Sequence, residues 1–326
     1  MGDEVTALAS FENLTKRYGT GIAVDDLSFA VPEGEVCGLL GPNGAGKTTA
    51  IRALLGLARP TSGSTTLLGM NPGERGFTAA VRNVGTLIEG PALYGRATAR
   101  QNMRIEADAI GLTDPEAEIR ELLELVGLTE RADTRCGSFS LGMKQRLGLG
   151  IALMGRPRLV VLDEPTNGLD PAGIVEIREL IKRLPERGTS VLVSSHLLAE
   201  IQLMCDRAVI LQRGKLIAEG TIAQLLDGDG TGYVVRVDPK LTEQAMGTLG
   251  RVGLSADRDA DDSIVVDGVI ENGKEISQPL AQAGIYVHEL QRQSVDLEQV
   301  FLRLTDESHD ESPVEKPALA GVSDAV

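Results

Sequence analysis

The chain of 326 residues is long enough for two or three domains, and its 42% hydrophobic and 24% charged residues are typical of a globular protein. Its net charge of −15 argues against a general nucleic-acid-binding protein, which needs a basic face to neutralise phosphates. The sequence contains no signal peptide and no apolar run of about 18 residues, so we expect a protein that does not cross a membrane by itself. Its cysteines show no paired spacing, so we expect neither disulfides nor a zinc site, and a cytoplasmic location.

Residues 1–228 alternate short apolar runs with segments of helical periodicity, which predicts an α/β domain on a mainly parallel sheet. The runs 36–40, 159–164 and 190–195 are continuously apolar and β-branched, as buried strands are. Between the first two, apolar residues recur at helical spacing, so we expect an inserted helical subdomain over about 91–157. Residues 207–220 predict a hairpin with Arg213 and Gly214 at its turn.

A second unit is predicted over residues 229–305. The segments 232–238, 262–268 and 284–290 are strand-like, and 240–253, 273–284 and 296–305 are helix-like, which indicates a small α+β domain. Residues 306–326 are polar, acidic at first and contain proline, a composition typical of a disordered tail.

The segment Gly41-x4-Gly46-Lys47-Thr48 matches the phosphate-binding P-loop and lies between a predicted strand and a predicted helix. Glycines let backbone N–H groups turn toward one anion, Lys47 provides a charge for the β- and γ-phosphates of a nucleotide, and the Thr48 hydroxyl can bind Mg²⁺. The alternative is a glycine-rich turn that matches by chance. The predicted nucleotide contacts are Gly41, Asn43, Gly44, Ala45, Gly46, Lys47, Thr48 and Thr49.

Two adjacent carboxylates end the predicted strand at 159–164. Asp163 lies at the carboxyl end of that strand, where open α/β sheets bind ligands, and the next side chain, Glu164, points elsewhere. We predict that Asp163 binds Mg²⁺ through water and that Glu164 activates the attacking water. The alternative is a pair of acids that only cap the strand end.

The order of the P-loop, "FSLGMKQR" (139–146), "LVVLDEPTNGLD" (159–170) and "VLVSSH" (191–196) resembles the ATP-binding subunits of ABC transporters over residues 8–225. Ser140 and Gly142 match that family's Leu-Ser-Gly-Gly-Gln signature, whereas Leu141 and Met143 depart from it. The resemblance implies a P-loop NTPase core with an antiparallel β part. It also implies an ATP hydrolase that works as a head-to-tail dimer, in which each ATP lies between one P-loop and residues Ser140, Leu141, Gly142 and Met143 of the other copy.

The same resemblance implies roles for three more residues. Tyr18 matches the aromatic residue that stacks on adenine, and otherwise it is only a strand-end aromatic. His196 matches the histidine that senses the γ-phosphate and steadies Glu164, with a purely structural histidine as the alternative. Asp170 matches the loop that couples the two sites of the dimer.

Glu89 is a further departure, since the family usually has glutamine where the core meets the helical insertion. A glutamate can approach Mg²⁺ through water, so we count Glu89 as a candidate metal residue, and the alternative is a neutral surface substitution. Together with "SLGMKQR", Glu89 resembles the bacitracin-resistance and lantibiotic-immunity ATPases. The segment "SVDLEQVFLRLT" (294–305) resembles the ending of daunorubicin-type drug-export ATPases.

The resemblance therefore implies a cytoplasmic, Mg²⁺-dependent ATPase subunit that drives export of a small molecule, drug or peptide. Its expected partners are a second copy of itself and a separate membrane permease, which holds it at the inner face of the cell membrane and contacts the surface near Glu89. The C-terminal unit supports dimerisation, binds a regulator or only packs. The alternatives are a soluble ABC-type ATPase with a regulatory or ribosome-linked role, and a P-loop kinase for a nucleotide or small molecule.

Overall fold

The computed structural model describes residues 7–227, 232–259, 261–268, 270, 272–292 and 296–307. Among these residues the strands form three sheets. The strands are β1 (Ala7–Tyr18), β2 (Gly21–Pro32), β3 (Val36–Leu40), β4 (Ser62–Leu67), β5 (Val84–Leu87), β6 (Leu159–Asp163), β7 (Ser190–Ser195), β8 (Arg207–Gln212), β9 (Lys215–Thr221), β10 (Tyr233–Arg236), β11 (Ser255–Arg258), β12 (Ile264–Asp267) and β13 (Glu289–Arg292).

The helices are shorter than a bilayer requires. They are α1 (Lys47–Leu54), α2 (Phe77–Val81), α3 (Ala99–Ile110), α4 (Glu116–Leu125), α5 (Leu141–Ala152), α6 (Pro171–Lys182), α7 (Leu198–Met204), α8 (Ile222–Asp227), α9 (Thr242–Arg251), α10 (Lys274–Gln282) and α11 (Leu297–Glu307). Within the described ranges, no helix combines the length and apolar content that a membrane crossing requires.

The central sheet has the order β5-β6-β7-β3-β8-β9, and its neighbours are parallel except for the hairpin of β8 and β9. Strands β3, β6 and β7 are buried along their whole length. Their alternate side chains enter two different clusters, so both faces are apolar and the runs are continuous. The helix-side core includes Val36, Leu40, Met103, Leu147 and Ile177, and the strand-side core includes Phe11, Leu14, Cys37 and Ile51.

An antiparallel sheet of order β2-β1-β4 covers the strand-side core. Phe11 and Phe29 stack there with ring centroids 4.2 Å apart. On the opposite side, α3, α4 and α5 form the helical insertion within 91–157, and α3 begins with a reciprocal cap between Thr98 and Gln101. The predicted fold class, an α/β P-loop core with an antiparallel part and a helical insertion, is confirmed.

The C-terminal unit follows the order β10-α9-β11-β12-α10-β13, and its antiparallel sheet has the order β11-β12-β10-β13. This is a split βαβ arrangement with a core of its own. The prediction of a strand at 284–290 was wrong in position, because β13 is the polar segment Glu289–Arg292 and Ile285 fills the core from the preceding loop. The sequence did not predict β11, whose four residues are mostly polar.

Helix α11 packs away from the C-terminal unit. Leu297, Phe301 and Leu304 join the helix-side core beside α7 and α8, and the Leu297 N–H donates to Gln202 Oε1 at 2.9 Å. The sequence analysis predicted 296–305 as a helix of the C-terminal unit, whereas in the structure the apolar stripe of α11 packs on the core of the first unit. The boundary at 228/229 remains a prediction, and residues 308–326 of the predicted tail lie outside the described residues.

Candidate active site

The P-loop connects β3 to α1 at the carboxyl end of the central sheet. Gly46 has φ +105°, and a Cβ there would lie 2.4 Å from the Ala23 carbonyl oxygen, so only glycine fits. The Lys47 side chain is buried, and its Nζ donates to the Gly41 carbonyl at 2.7 Å. The other predicted contacts lie in this turn or in the first turn of α1, namely Asn43, Gly44, Ala45, Thr48 and Thr49.

The Glu164 carboxylate lies between the Lys47 ammonium and the His196 ring. Its Oε1 is 3.2 Å from Lys47 Nζ, and its Oε2 is 2.7 Å from His196 Nδ1. Glu164 has φ +51°, a left-handed conformation that turns the chain away from β6. The structure therefore brings together the predicted P-loop lysine, the predicted base and the predicted sensing histidine.

Asp163 is buried at the end of β6 and uses both carboxylate oxygens. Its Oδ2 accepts from the Thr48 hydroxyl at 2.8 Å, and its Oδ1 accepts from the Ser194 hydroxyl at 2.5 Å. The same Ser194 oxygen accepts from the Glu164 N–H at 3.0 Å. No local sequence pattern marks Ser194, which comes beside Asp163 only through the parallel pairing of β6 and β7.

Glu89 follows β5 and has an unexpected partner. Its carboxylate is exposed and pairs with the Arg52 guanidinium of α1. A cavity of about 700 Å³ lies beside this pair. Its wall contains Thr48, Glu89, Asp163 and Glu164, together with Leu141 and Gln145 from α5.

The predicted signature residues begin α5. Ser140 is exposed, and its Oγ accepts from the Met143 N–H at 3.2 Å as an N-cap. The Leu141 side chain lies over Gly168, where an added Cβ would be 3.1 Å from Leu141 Cδ2. Leu141, which departs from the family pattern, therefore packs against the loop that precedes Asp170 in the same chain. The next residue, Gly142, is half-buried.

Two further predicted residues lie at element ends. Asp170 caps α6, since its Oδ1 accepts from the Gly173 N–H at 3.1 Å. Tyr18 ends β1 with its ring about half exposed, and Lys16 Nζ lies 4.8 Å from the ring centroid. The coupling role of Asp170 and the adenine-stacking role of Tyr18 remain predictions.

This arrangement suits a nucleoside triphosphate with a divalent cation. The N-terminus of α1 and Lys47 offer backbone and side-chain donors to phosphate oxygens. Thr48 and Asp163 place hydroxyl and carboxylate oxygens 2.8 Å apart, and such hard oxygen donors are the type that Mg²⁺ prefers. The residues present therefore fit Mg²⁺.

Comparisons with known proteins identify the family. The family model described as "ABC transporter" matches residues 24–167. The "Uncharacterized ABC transporter ATP-binding protein YhcH" of Bacillus subtilis (strain 168) is 38% identical over 302 residues, which are 92% of this chain and 96% of that relative. The "Bacitracin transport ATP-binding protein BcrA" of Bacillus licheniformis is 48% identical over 208 residues, which are 64% of this chain and 67% of that relative.

A solved structure described as "Structure of ATP binding subunit of ABC transporter" has the same fold. It is 33% identical, with a TM-score of 0.61, and the match covers 68% of this chain and 92% of the other. These matches confirm the predicted resemblance, including the relation to bacitracin-type subunits. The chain therefore belongs to the ABC transporter ATP-binding proteins, a family of ATP hydrolases.

Proposed function

We propose that this protein is the ATPase subunit of an ABC exporter, in which two copies hydrolyse ATP between them and a separate membrane permease carries the cargo. The observation that carries the proposal is the position of Glu164, held by Lys47 and His196 beside the carboxylate of Asp163. Such a base next to a phosphate-binding loop is what hydrolysis of a phosphoanhydride requires.

The backbone N–H groups of residues 43–49 and the Lys47 ammonium bind the β- and γ-phosphates. Thr48 and Asp163 would hold Mg²⁺, which when bound neutralises charge on the phosphate oxygens. Glu164 accepts a proton from a water molecule as the water oxygen bonds to the γ-phosphorus and the bond to the β–γ bridging oxygen breaks. His196 orients Glu164 through the 2.7 Å contact with Oε2.

The second copy supplies the other side of the site. Ser140 is exposed at the N-terminus of α5, where a hydroxyl and helix dipole suit a γ-phosphate of another subunit. Leu141 turns toward Gly168, so its side chain leaves the Ser140 hydroxyl accessible. Tyr18 stacks on adenine, and Asp170 lies in the loop that couples the two sites.

The names of the relatives support the proposed cargo class and location. The Bacillus licheniformis relative is named for bacitracin transport, and on this basis we assign export of a small molecule, drug or peptide. The permease contacts the surface near Glu89 and α3 and holds the subunit at the inner face of the cell membrane. The net charge of −15 argues against the nucleic-acid-linked alternative.

The decisive experiment uses the purified full chain with Glu164→Gln, which keeps the side-chain shape but cannot take the proton. With MgATP, we expect a stable dimer by light scattering and no phosphate release, whereas the wild type hydrolyses ATP. Lys47→Ala is the matched control that should neither bind ATP tightly nor dimerise. A monomeric Glu164→Gln protein at saturating MgATP, or phosphoryl transfer from ATP to a metabolite, would overturn the proposal.

The permease is tested separately. A candidate membrane permease, reconstituted in liposomes with this chain, should raise the ATPase rate and move a bacitracin-like peptide outward. A Glu164→Gln subunit is the control that should bind the liposomes without transport. Liposomes that leave the ATPase rate and the subunit's sedimentation unchanged would contradict the assignment of that partner.

A further inference from the structure

We propose that Ser194 is a positioning residue for ATP hydrolysis, whose single hydroxyl fixes the metal-binding carboxylate of Asp163 and the backbone of Glu164 relative to each other. The inference rests on the roles proposed above for Asp163 and Glu164. Ser194 itself does not touch the reacting atoms and acts through these two neighbours.

The side-chain hydrogen bonds of Ser194 are both made with this pair. Its Oγ donates to Asp163 Oδ1 at 2.5 Å and accepts from the Glu164 N–H at 3.0 Å. Its carbonyl oxygen also accepts from the Glu164 N–H, at 3.2 Å. The parallel register of β6 and β7 places Ser194 directly beside Asp163, and Ser194 is fully buried, so water does not replace these bonds.

One hydroxyl has one proton to donate, and here that proton goes to Oδ1 of Asp163. Oδ2 is thereby turned toward the Thr48 hydroxyl, the other candidate Mg²⁺ ligand. A hydroxyl bond to a carboxylate at this distance is strongly directional, so it fixes the plane of the Asp163 carboxylate. Without it, the bond to the Thr48 hydroxyl is the one remaining side-chain hydrogen bond that the described residues make to this carboxylate, so its orientation is less restrained.

The Ser194 hydroxyl oxygen also accepts a hydrogen bond from the Glu164 N–H. Glu164 has φ +51°, a conformation that a residue with a Cβ adopts only when its surroundings hold it there. The bond from its N–H to Ser194 is part of that restraint and sends the carboxylate toward Lys47 and His196. The same hydroxyl therefore restrains both the carboxylate of the proposed metal ligand and the backbone of the proposed base.

The test compares variants in the full-length protein. Ser194→Ala is expected to lower kcat by about 10- to 100-fold, the usual effect of losing a residue that orients a metal ligand. ATP affinity without Mg²⁺ should stay within about twofold, because Ser194 is not a phosphate contact in the P-loop. Mn²⁺ affinity of the complex with a nonhydrolysable ATP analogue, measured by electron paramagnetic resonance, should fall about 10-fold.

Two comparisons separate positioning from stability. Ser190→Ala removes another buried hydroxyl of β7, far from the site, which accepts a hydrogen bond from the Gly34 N–H at 2.8 Å. This variant should leave kcat and Mn²⁺ affinity within about twofold of wild type. Ser194→Thr and Ser194→Val have the same shape and differ in the hydroxyl. The threonine variant should retain most of the Mn²⁺ affinity, and the valine variant should lose it.

Equal Mn²⁺ affinities for the threonine and valine variants, or a Ser194→Ala protein that behaves as Ser190→Ala does, would overturn the positioning role. These outcomes differ from failure of the proposed function. If the wild type does not hydrolyse MgATP, the function assigned to Asp163 and Glu164 is itself wrong. If the wild type hydrolyses ATP and Glu164→Gln forms the dimer, only the role of Ser194 is rejected.

Discussion

Lys47 and Glu164 form an ion pair of 3.2 Å, which joins the proposed phosphate-binding lysine to the proposed base. Both side chains are largely buried, so the contact is little screened by water. A γ-phosphate that attracts Lys47 competes directly with Glu164 for the same ammonium group. We therefore expect nucleotide binding to release the carboxylate of Glu164, the proposed base, from Lys47.

Lys47→Ala removes the ammonium from this pair and from the phosphate site. We expect ATP affinity to fall about 10- to 100-fold, which corresponds to the ~1.5–3 kcal/mol of a hydrogen bond to a charged group. Titration with a fluorescent ATP analogue in the absence of Mg²⁺ measures this directly. Lys182→Ala, at an exposed lysine at the end of α6, is the control and should bind as the wild type does. Equal affinities for the two variants would remove Lys47 from the phosphate site.

Substitution of Ser140 separates its capping role from a role toward a second copy. Ser140→Asp keeps an N-cap acceptor and should hold the free energy of unfolding within about 0.5 kcal/mol, while Ser140→Ala should lose ~0.5–2 kcal/mol. In a Glu164→Gln background, the aspartate should abolish the ATP-dependent dimer by repelling the γ-phosphate.

Thr98→Asp makes the same change at the N-cap of α3 and should leave that dimer intact. Urea unfolding and light scattering measure the two effects. A dimer that survives Ser140→Asp would place the second half of the site elsewhere.

Because Arg52 and Glu89 form an ion pair, we expect substitutions of the two residues to shift the Mg²⁺ concentration for half-maximal hydrolysis in opposite directions. Glu89→Gln removes a carboxylate from the cavity wall and should raise the Mg²⁺ concentration for half-maximal hydrolysis, whereas Arg52→Gln frees that carboxylate and should lower it. The pair is exposed, so each change should alter stability by less than about 1 kcal/mol. Steady-state ATPase assays across Mg²⁺ concentrations decide this, and unchanged turnover at every concentration would remove Glu89 from the mechanism.

Leu297 anchors α11 to the helix-side core and is fully buried. Leu297→Ala should lower the free energy of unfolding by ~2–5 kcal/mol, the usual effect of a large-to-small change in a core. Leu302→Ala on the same helix removes a side chain that is 54% exposed and should cost less than about 1 kcal/mol. Equal urea midpoints for the two variants would show that α11 does not stabilise the first unit.

Burial makes the cysteines unreactive. It raises the pKa of Cys37 from 9.0 to about 12 and that of Cys205 well above its ordinary value. Since the thiolate is the nucleophile, an aromatic disulfide reagent at pH 8 should modify neither thiol in the native protein and should modify all three cysteines in guanidinium.

The native pKa of Cys37 lies above that of the unfolded chain. Its contribution to stability is therefore intact below about pH 9 and is lost as the pH rises toward 12. Rapid modification of Cys37 or Cys205 in the native protein at pH 8, located by peptide mapping, would contradict their burial.

The sequence predicts those parts of the site that are local in the chain. The P-loop is one continuous segment, and the spacing of its glycines and lysine predicts its geometry. Asp163 and Glu164 are likewise predicted from one local feature, the end of an apolar strand. The bond from Ser194 to Asp163 spans 31 residues and depends on the register of two strands, and the Arg52–Glu89 pair spans 37. Neither depends on a local pattern, so periodicity could not reveal them.

The same limit applies to the fold. The buried parallel strands were predicted because burial on both faces gives an unbroken apolar run. The strands β11 and β13 are short and polar, and only their pairing with β12 and β10 makes them strands. The stripe of Leu297, Phe301 and Leu304 predicts a helix with one apolar face, but it does not predict which surface that face covers.

The route of the chain from α8 through the C-terminal unit and back to α11 affects how the protein is made. Because a ribosome delivers residues in order, α7 and α8 emerge well before the helix that covers them. During synthesis of the intervening segment, the apolar groove that later receives Leu297 and Phe301 is open to solvent. The nascent first unit therefore cannot cover this apolar surface until Leu297–Glu307 has left the ribosome.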